Sequence, residues 1–283
     1  MTDFRANWQE RINGWPRRWK VALVTAVVLS IMALYTVTDP ARLAGSPALM
    51  GADYAGYAVC HRISDRSFTI AGRQMPLCAR CTGMYLGVAL SFGALMLAGR
   101  RRWVHLPPWP ILLTLIGFVG LMGIDGINSY SHFFPNFPHL YTPRNWLRLA
   151  TGLGTGLMMG VILFPALAQT LWYDQVARPS LTSFRELEGL LLLAGMTAVL
   201  VLSNQPTVLY VLALISGAAV ILTLTALNSM VLLIILRRDA RARRWREAAV
   251  PLLIGLALAI IQISAISIFR YNWTGTMTGF PGV

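Results

Sequence analysis

Charge is scarce in this chain. Only 12% of its 283 residues are charged, and only 11 are acidic. Soluble domains carry about 25% charged residues, so a globule of this size would lack the polar surface that keeps it in water. Cysteine is also scarce, at three residues, which excludes a disulfide-rich secreted scaffold. No fixed-period repeat, low-complexity tract or lipidation motif occurs. There is no Walker sequence, Ser-His-Asp order or His-Glu-x-x-His pair, so the common nucleotide, acyl-transfer and zinc-protease signatures are missing. What remains is apolar: 56% of residues are hydrophobic and the mean hydropathy is +0.59. This composition predicts an all-α integral membrane protein.

A bilayer crossing needs about 17–25 mostly apolar residues. Seven runs approach that length: 21–37, 83–99, 109–124, 147–172, 189–202, 208–236 and 248–269. A Ser203-Asn204-Gln205-Pro206 break parts the fifth from the sixth. The first run is longer than a signal-peptide core and is followed by Thr38-Asp39-Pro40, so an uncleaved anchor is expected. Gly83 and Gly87 in the second run recur every fourth residue, as do Gly152, Gly156 and Gly160 in the fourth, marking faces where helices approach closely.

The net charge of +13 would point to nucleic acid in a soluble protein. Here the arginines sit between apolar runs, which is a topological pattern, and no nucleic-acid role is expected. Alternating the loops across seven spans puts 16 basic residues on one side and 8 on the other. Most of the eight lie in residues 38–82; without that loop the contrast is 16 against 3. The expected orientation is therefore N-terminus inside and C-terminus outside. It divides the chain into a basic cytoplasmic segment 1–20, a first span 21–37, an extracytoplasmic Cys/His loop 38–82, a six-span bundle 83–270 and an outer tail 271–283.

All three cysteines fall in that first outer loop, in Cys60-His61-Arg62 and Pro76-Leu77-Cys78-Ala79-Arg80-Cys81. Cys78-x-x-Cys81 is a chelating spacing, and Cys60 with His61 completes a Cys₃His donor set suited to zinc, with iron as the other metal that fits. Adjacent residues tend to point apart, so His132, His139 or water are alternatives for the fourth ligand. The neighbouring Arg62, Arg66, Arg73 and Arg80 favour thiolate. Two other readings use the same atoms. Cys78 and Cys81 can be a redox pair coupled to a membrane quinone, with Cys60 as the exchanging thiol, or all three can be small packing residues or a plain structural disulfide.

Cys60-His61-Arg62, then Arg66-Ser67-Phe68, then Pro76-x-Cys78-x-Arg80-Cys81-Thr82-Gly83 entering a span, resembles a family of prokaryotic membrane proteins catalogued as domain of unknown function 2085. The resemblance is close over about residues 55–90. It extends more loosely to Asp125 and to Asn145-x-x-Arg148-x-x-Thr151-Gly152. It implies a multipass membrane protein of bacteria or archaea, and it implies no activity; the expected location is the prokaryotic cytoplasmic (inner) membrane.

Further polar groups are expected at the same outer level. Asp125 ends the third expected span, either as an ion-pair partner of Arg148 or of a loop arginine, or as a base or orienting carboxylate. Asn145, Arg148 and Thr151 share a helix face that can hold a phosphate or carboxylate head group. With Arg62, Arg66, Arg80 and Asp125, Asn145 and Arg148 make a polar ring. Asp125 and Arg148 are the candidates for any catalytic role. His132 and His139 lie in a Phe- and Pro-rich interfacial stretch, and His105 lies on the opposite side. The last three spans hold only Asn204, Gln205, Asn228 and Gln262 as conspicuous polar groups, against a proton pump or ion-coupled transporter. Three functions stay open. One is lipid or partner binding beside a structural metal. The second is a membrane hydrolase or transferase with an open metal position. The third is a quinone-linked oxidoreductase.

Overall fold

The computed structural model describes residues 39–132, 134 and 140–277. The expected first span 21–37, the basic N-terminus and His139 lie outside the described residues. The elements, in chain order, are α1 Pro40–Ala44, α2 Pro47–Val59, β1 Thr69–Ile70, β2 Arg73–Gln74, α3 Ala79–Leu97, β3 Trp103–His105, α4 Trp109–Ser131, α5 Asn145–Leu171, β4 Val176–Pro179, α6 Phe184–Leu202, α7 Pro206–Ile235 and α8 Trp245–Thr274. Five of these helices, α3, α4, α5, α7 and α8, are long and apolar enough to cross a membrane. Helix α6 spans 19 residues but crowds Arg185, Glu186 and Glu188 into its start.

Boundaries differ from expectation in two places that matter. The third run continues past 124 to Ser131, because Asn128, Ser129 and Ser131 find buried hydrogen-bond partners that let polar residues stay helical. Asp125 is therefore inside α4 rather than at its end. Residues 38–82 are also more than a loop. Pro40 and Pro47 open short helices at a position where a missing N–H costs nothing. Asp39 and Ser46 cap them, accepting from Ala41 N at 3.0 Å and Leu49 N at 3.3 Å. Strands β1 and β2 form an antiparallel hairpin whose two turn residues, Ala71 and Gly72, both have positive φ, as a tight primed turn requires.

The centre of the bundle is the parallel pair α3 and α5, whose contacting positions rise together from Gly83–Leu149 through Gly87–Leu153 to Ser91–Leu157. A Cβ added at Gly83 would overlap the Leu149 carbonyl, at Gly87 the Leu153 carbonyl, at Gly152 the Arg80 carbonyl and at Gly156 the Met84 carbonyl. These glycines let two backbones touch, and Ser91 Oγ donates across the seam to Leu157 O at 3.2 Å. Phe118 of α4 packs over Gly154, whose added Cβ would sit 2.8 Å from the ring.

At one end of the bundle, β3 and β4 pair in parallel and Arg100 forms an ion pair with Glu186. Arginine–aromatic stacking surrounds them, with Arg100 4.5 Å over Trp103 and Arg243 4.2 Å over Tyr173. At the other end, α2 lies against α7 and α8. An added Cβ at Gly217 would be 2.9 Å from Ala52 Cβ, and Ser267 Oγ donates to Tyr54 O at 3.2 Å. Cys60 and Cys78 pack in one apolar cluster with Ala219, Val220 and Ile263. Ala219 lies about 20 Å along α7 from Pro206, so the first half of α7 extends past the level of the cysteines.

Gly156→Ala is expected to destabilise the protein by about 1–3 kcal/mol through overpacking. Gly120→Ala, at an α4 position with open space around it, should be neutral or stabilising by up to about 1 kcal/mol. Thermal unfolding in mild detergent checks the pair. Equal effects at the two sites would refute the tight α3–α5 seam.

Candidate functional site

The Cys site begins with a close backbone approach. Gly56 of α2 lies under the Pro76 carbonyl, where any Cβ would overlap it. That approach brings the end of α2 to the start of α3. Cys60 ends α2 in an extended conformation, and Arg62 follows with φ 52°. A left-handed non-glycine residue is unusual. Here it turns the chain so that both adjacent side chains, Cys60 and His61, reach the same point. Cys60 Sγ lies 3.8 Å from His61 Nδ1. The donor atoms of Cys60, His61 and Cys78 all lie within 4.8 Å of one another, a group that can hold a metal ion. Tetrahedral zinc places its sulfur and nitrogen ligands about 3.5–3.8 Å apart. The Cys81 thiol adjoins both Cys60 and Cys78. All three cysteines are free thiols. The adjacency of Cys60 and His61 is thus no obstacle to shared ligation, and His132 is elsewhere, bonded through Nε2 to Tyr141 O at 3.1 Å.

The thiols are electrostatically unequal. Hydrogen bonds from the Cys78 and then the Cys81 thiols hold Cys60 well below the usual thiol range, against the opposing effect of burial. The Cys78 amide also donates to Cys60 Sγ at 3.2 Å. Cys78 is pushed up to about 12, chiefly because its thiol is engaged with Cys60. The neighbouring thiols, rather than the arginines expected from the sequence, are the first causes of the lowering at Cys60. A bound divalent ion would take over the role of the shared proton and hold further sulfurs as thiolates.

Arg62 turns away from the expected ring. Its Nη2 donates to Asp53 Oδ1 at 2.9 Å, Arg73 pairs with Asp53 Oδ2, and Arg62 Nη1 donates to Met277 O at 3.1 Å. Burial pulls the Arg62 guanidinium pKa down, and Asp53 partly restores it. Gln74, placed by the hairpin, donates to Arg62 O and Ser67 Oγ, both at 2.9 Å. Arg270 of α8 stacks 4.2 Å from the Tyr57 ring and donates to the carbonyls of Tyr57 at 2.7 Å, His61 at 3.1 Å and Cys60. The Cys60-His61 turn is therefore held by α8. Sequence reasoning missed Asp53 and Arg270. Each left a signal, as the lone acid of an apolar 13-residue run and as the cation directly after the last apolar run, 248–269.

The remaining ring members converge on Ser129 and Asp125. Arg66 Nη2 donates to Ser129 O at 3.1 Å, Arg80 Nη2 to Ser129 Oγ at 3.3 Å and Arg148 Nε to Ser129 Oγ at 3.4 Å. Arg80 also forms an ion pair with Asp125 Oδ2, and the Tyr141 hydroxyl donates to Asp125 Oδ1 at 2.9 Å. Asp125 is 1% exposed. Arg148 Nη1 donates to Asn145 Oδ1 at 2.8 Å, and Asn145 Nδ2 to Asp65 O at 3.1 Å. Thr151 spends its hydroxyl on Leu147 O and Arg148 O along its own helix. Ser129, Tyr141 and Asn128, which receives Leu140 N at 2.9 Å, were not singled out from sequence. Isolated Ser, Asn and Tyr residues carry no spacing signal.

With this geometry in place, comparison with known proteins adds a class. Residues 60–162 match the family described as a predicted membrane protein, domain of unknown function 2085. That is the family the Cys-His-Arg and Cys-x-Arg-Cys-Thr-Gly motifs resemble, and the protein is a membrane protein. An uncharacterized protein of Methanothermobacter thermautotrophicus is 47% identical over 34 residues, covering 12% of this chain and 31% of that protein. An uncharacterized protein of Methanocaldococcus jannaschii is 53% identical over 36 residues, 12% of this chain and 23% of that protein. The matched stretch thus spans less than a third of either relative. No solved structure matches the chain.

Asp125→Ala would leave Arg80 without its carboxylate in a buried setting, an expected loss of about 3–5 kcal/mol. Tyr141→Phe removes one hydrogen bond to the same carboxylate and should cost about 1–2 kcal/mol. Thermal or denaturant unfolding of the two variants checks the order. An Asp125→Ala protein as stable as Tyr141→Phe would show that the pair is not buried.

Proposed function

We propose that the protein is a seven-span protein of a prokaryotic cytoplasmic membrane. In this reading a Cys/His metal, zinc before iron, fastens residues 39–78 onto the bundle beside an Arg/Asp-lined mouth. The metal is structural, and the mouth receives a lipid-phase or anionic head-group ligand. The observation that carries the reading is the convergence of the Cys60, His61 and Cys78 donor atoms within 4.8 Å. The donor chemistry agrees with it, since soft thiolates and an imidazole suit zinc. Asp125 has both oxygens committed to Arg80 and Tyr141, so it is poorly placed as a base for metal-bound water.

Seven spans require 21–37 and α6 in addition to the five long apolar helices. The Arg100–Glu186 pair supports α6, because it offsets one of the charges at the start of that helix. The excess of arginine in 100–108, 173–188 and 237–247 supports an inside position for that end. The cysteine end is then extracytoplasmic and the C-terminus outside.

One observation favours a second reading. An apolar cleft of about 430 Å³, lined by Tyr54, Ile263, Ser264, Ser267, Ile268, Tyr271 and Met277, shares Ile263 with the cysteine cluster. A quinone there would take two electrons and two protons from Cys78 and Cys81, leaving a disulfide and a quinol.

Metal analysis with thiol counting separates the two on protein purified in mild detergent without chelator. About one zinc or iron per chain is expected, lost in Cys60→Ser and in Cys78→Ser. A metal-free protein carrying one disulfide and one free thiol would remove the metal reading and leave the redox one. Orientation has its own check: a C-terminal reporter active only in the cytoplasm would overturn the seven-span topology.

A further inference from the structure

The basic loop 237–247, between α7 and α8, is folded onto the end of α5. Ala240 N donates to Thr170 O at 2.7 Å, Ala242 N to Leu171 O at 3.0 Å, and Tyr173 N returns a bond to Ala242 O at 2.9 Å. Arg237 and Ala240 take the left-handed conformation, with φ 51° and 55°, in making these turns. Trp172 packs edge-to-face on Trp245 with ring centroids 4.9 Å apart, and Arg243 stacks 4.2 Å over the Tyr173 ring. Trp and Tyr of a membrane protein settle at the level of the lipid head groups. The loop is thus a built surface at that level, with its backbone held in place.

This fold leaves a cleft of about 410 Å³ between the loop, α7 and the start of α8. Leu171, Leu233, Val250 and Pro251 form its apolar wall, and Arg238, Arg241 and Glu247 its polar rim. The wall continues onto the outer face of α8, where Val250 is 59% exposed. Pro251 brings no N–H to the Glu247 carbonyl one turn back, so a rung of the helix ladder is missing at the mouth. The loop carries six arginines against Asp239 and Glu247, an excess of four positive charges. None of the six forms an ion pair among the described residues. Glu247 spends Oε2 on Arg243 N at 2.7 Å, at the start of α8. Arg241 Nη2 donates to Arg237 O at 3.0 Å. The Arg238 guanidinium makes no hydrogen bond or ion pair among the described residues.

We infer that this cleft binds one phospholipid with an anionic head group, its phosphodiester between Arg238 and Arg241 and an acyl chain along Leu233 and Val250. A phosphodiester has one negative charge and two non-bridging oxygens, one for each guanidinium. Basic pockets between membrane helices are head-group sites of this kind. A choline head group carries a compensating ammonium, which the surplus of positive charge on the loop repels, so a zwitterionic lipid fits less well. Arg244 and Arg246 lie on the same loop outside the cleft and add only attraction that salt screens. The inference goes beyond the reading above. It concerns the end of the bundle opposite the cysteines and stands without the metal.

The test uses the full chain in mild detergent, titrated with dioleoyl phosphatidylglycerol, dioleoyl phosphatidylcholine or inorganic phosphate and followed by native mass spectrometry. One phosphatidylglycerol per chain is expected to bind saturably, with a half-saturating concentration about tenfold or more below that of phosphatidylcholine. Arg238→Gln and Arg241→Gln should each raise that concentration about fivefold, the effect of one arginine at a head group. Arg244→Gln and Arg246→Gln remove the same charge from the same loop outside the cleft and should raise it less than about twofold. Val250→Trp fills the apolar wall, alters no charge and should weaken binding as Arg238→Gln does. Arg238→Gln breaks no bond within the protein, so it should melt with the parent chain, and its binding decides the matter if another variant melts lower. Equal binding of phosphatidylcholine, equal losses in all four arginine variants, or unchanged binding in Arg238→Gln would overturn the inference. So would inorganic phosphate binding at the same concentration as the lipid.

Discussion

Buried guanidinium groups govern the architecture of the cysteine end. Arg62, Arg66, Arg73, Arg80, Arg148 and Arg270 all point into a region built from apolar helices. Guanidinium cannot shed its charge in a protein, so each group needs an acid or hydrogen-bond acceptors. Asp53 and Asp125 provide two carboxylates between them. The remaining acceptors are backbone carbonyls and hydroxyls, at Tyr57, Cys60, His61, Ser129, Met277 and Ala44. Carbonyls inside a helix are already engaged by their own ladder. Residues 39–78, the last turn of α4 and the segment after α8 supply carbonyls outside such ladders, which fits an irregular segment folded against the bundle at this level.

The same requirement places the thiols. Arg270 reaches the carbonyls of Tyr57, Cys60 and His61 because the chain leaves α2 and turns sharply, and the left-handed Arg62 makes that turn. The turn in turn brings His61 and Cys60 to Cys78. The thiol group and the guanidinium groups are therefore parts of one arrangement. A divalent ion bound there by three thiolates would be net negative, and the surrounding guanidinium groups would offset that charge. The α3–α5 seam supplies the rigid floor: Gly83 and Gly152 let α3 and α5 touch just below Arg80, fixing the depth at which Arg80 and Arg148 emerge.

Much of this was legible beforehand. The clustering of Cys60, His61, Cys78 and Cys81 marked a possible donor set, and the four-residue glycine spacing marked the helix seam. Arg66, Arg80, Asp125, Asn145 and Arg148 were grouped as polar residues at one level, and they do meet around Ser129. Asp125 was expected to pair with Arg148 or a loop arginine, and its partner is Arg80. Other features were hidden. A 13-residue apolar helix such as α2 is too short to read as a span and has no strong periodicity, so 38–82 looked like loop. The α4 boundary was drawn too early because polar residues 128–131 suggest a turn until their partners across the chain are known. Arg62 was grouped with the ring, yet the ring and Asp53 are nearly indistinguishable as destinations when only sequence is in view.

By itself the sequence determined the class: too few charges for water, apolar runs of membrane length, arginines biased to one side, and every thiol within one short stretch. Those properties are local or additive, so composition and spacing are enough to read them. Tertiary structure decided which arginine faces which acid, that the Cys78 amide donates to Cys60 Sγ, and that Ser129 is where three guanidiniums meet. Those outcomes depend on close approaches between residues far apart in the chain. Gly56 under Pro76, Gly152 under Arg80 and Arg270 over Tyr57 are set by helix packing, and no spacing along one strand of sequence encodes them.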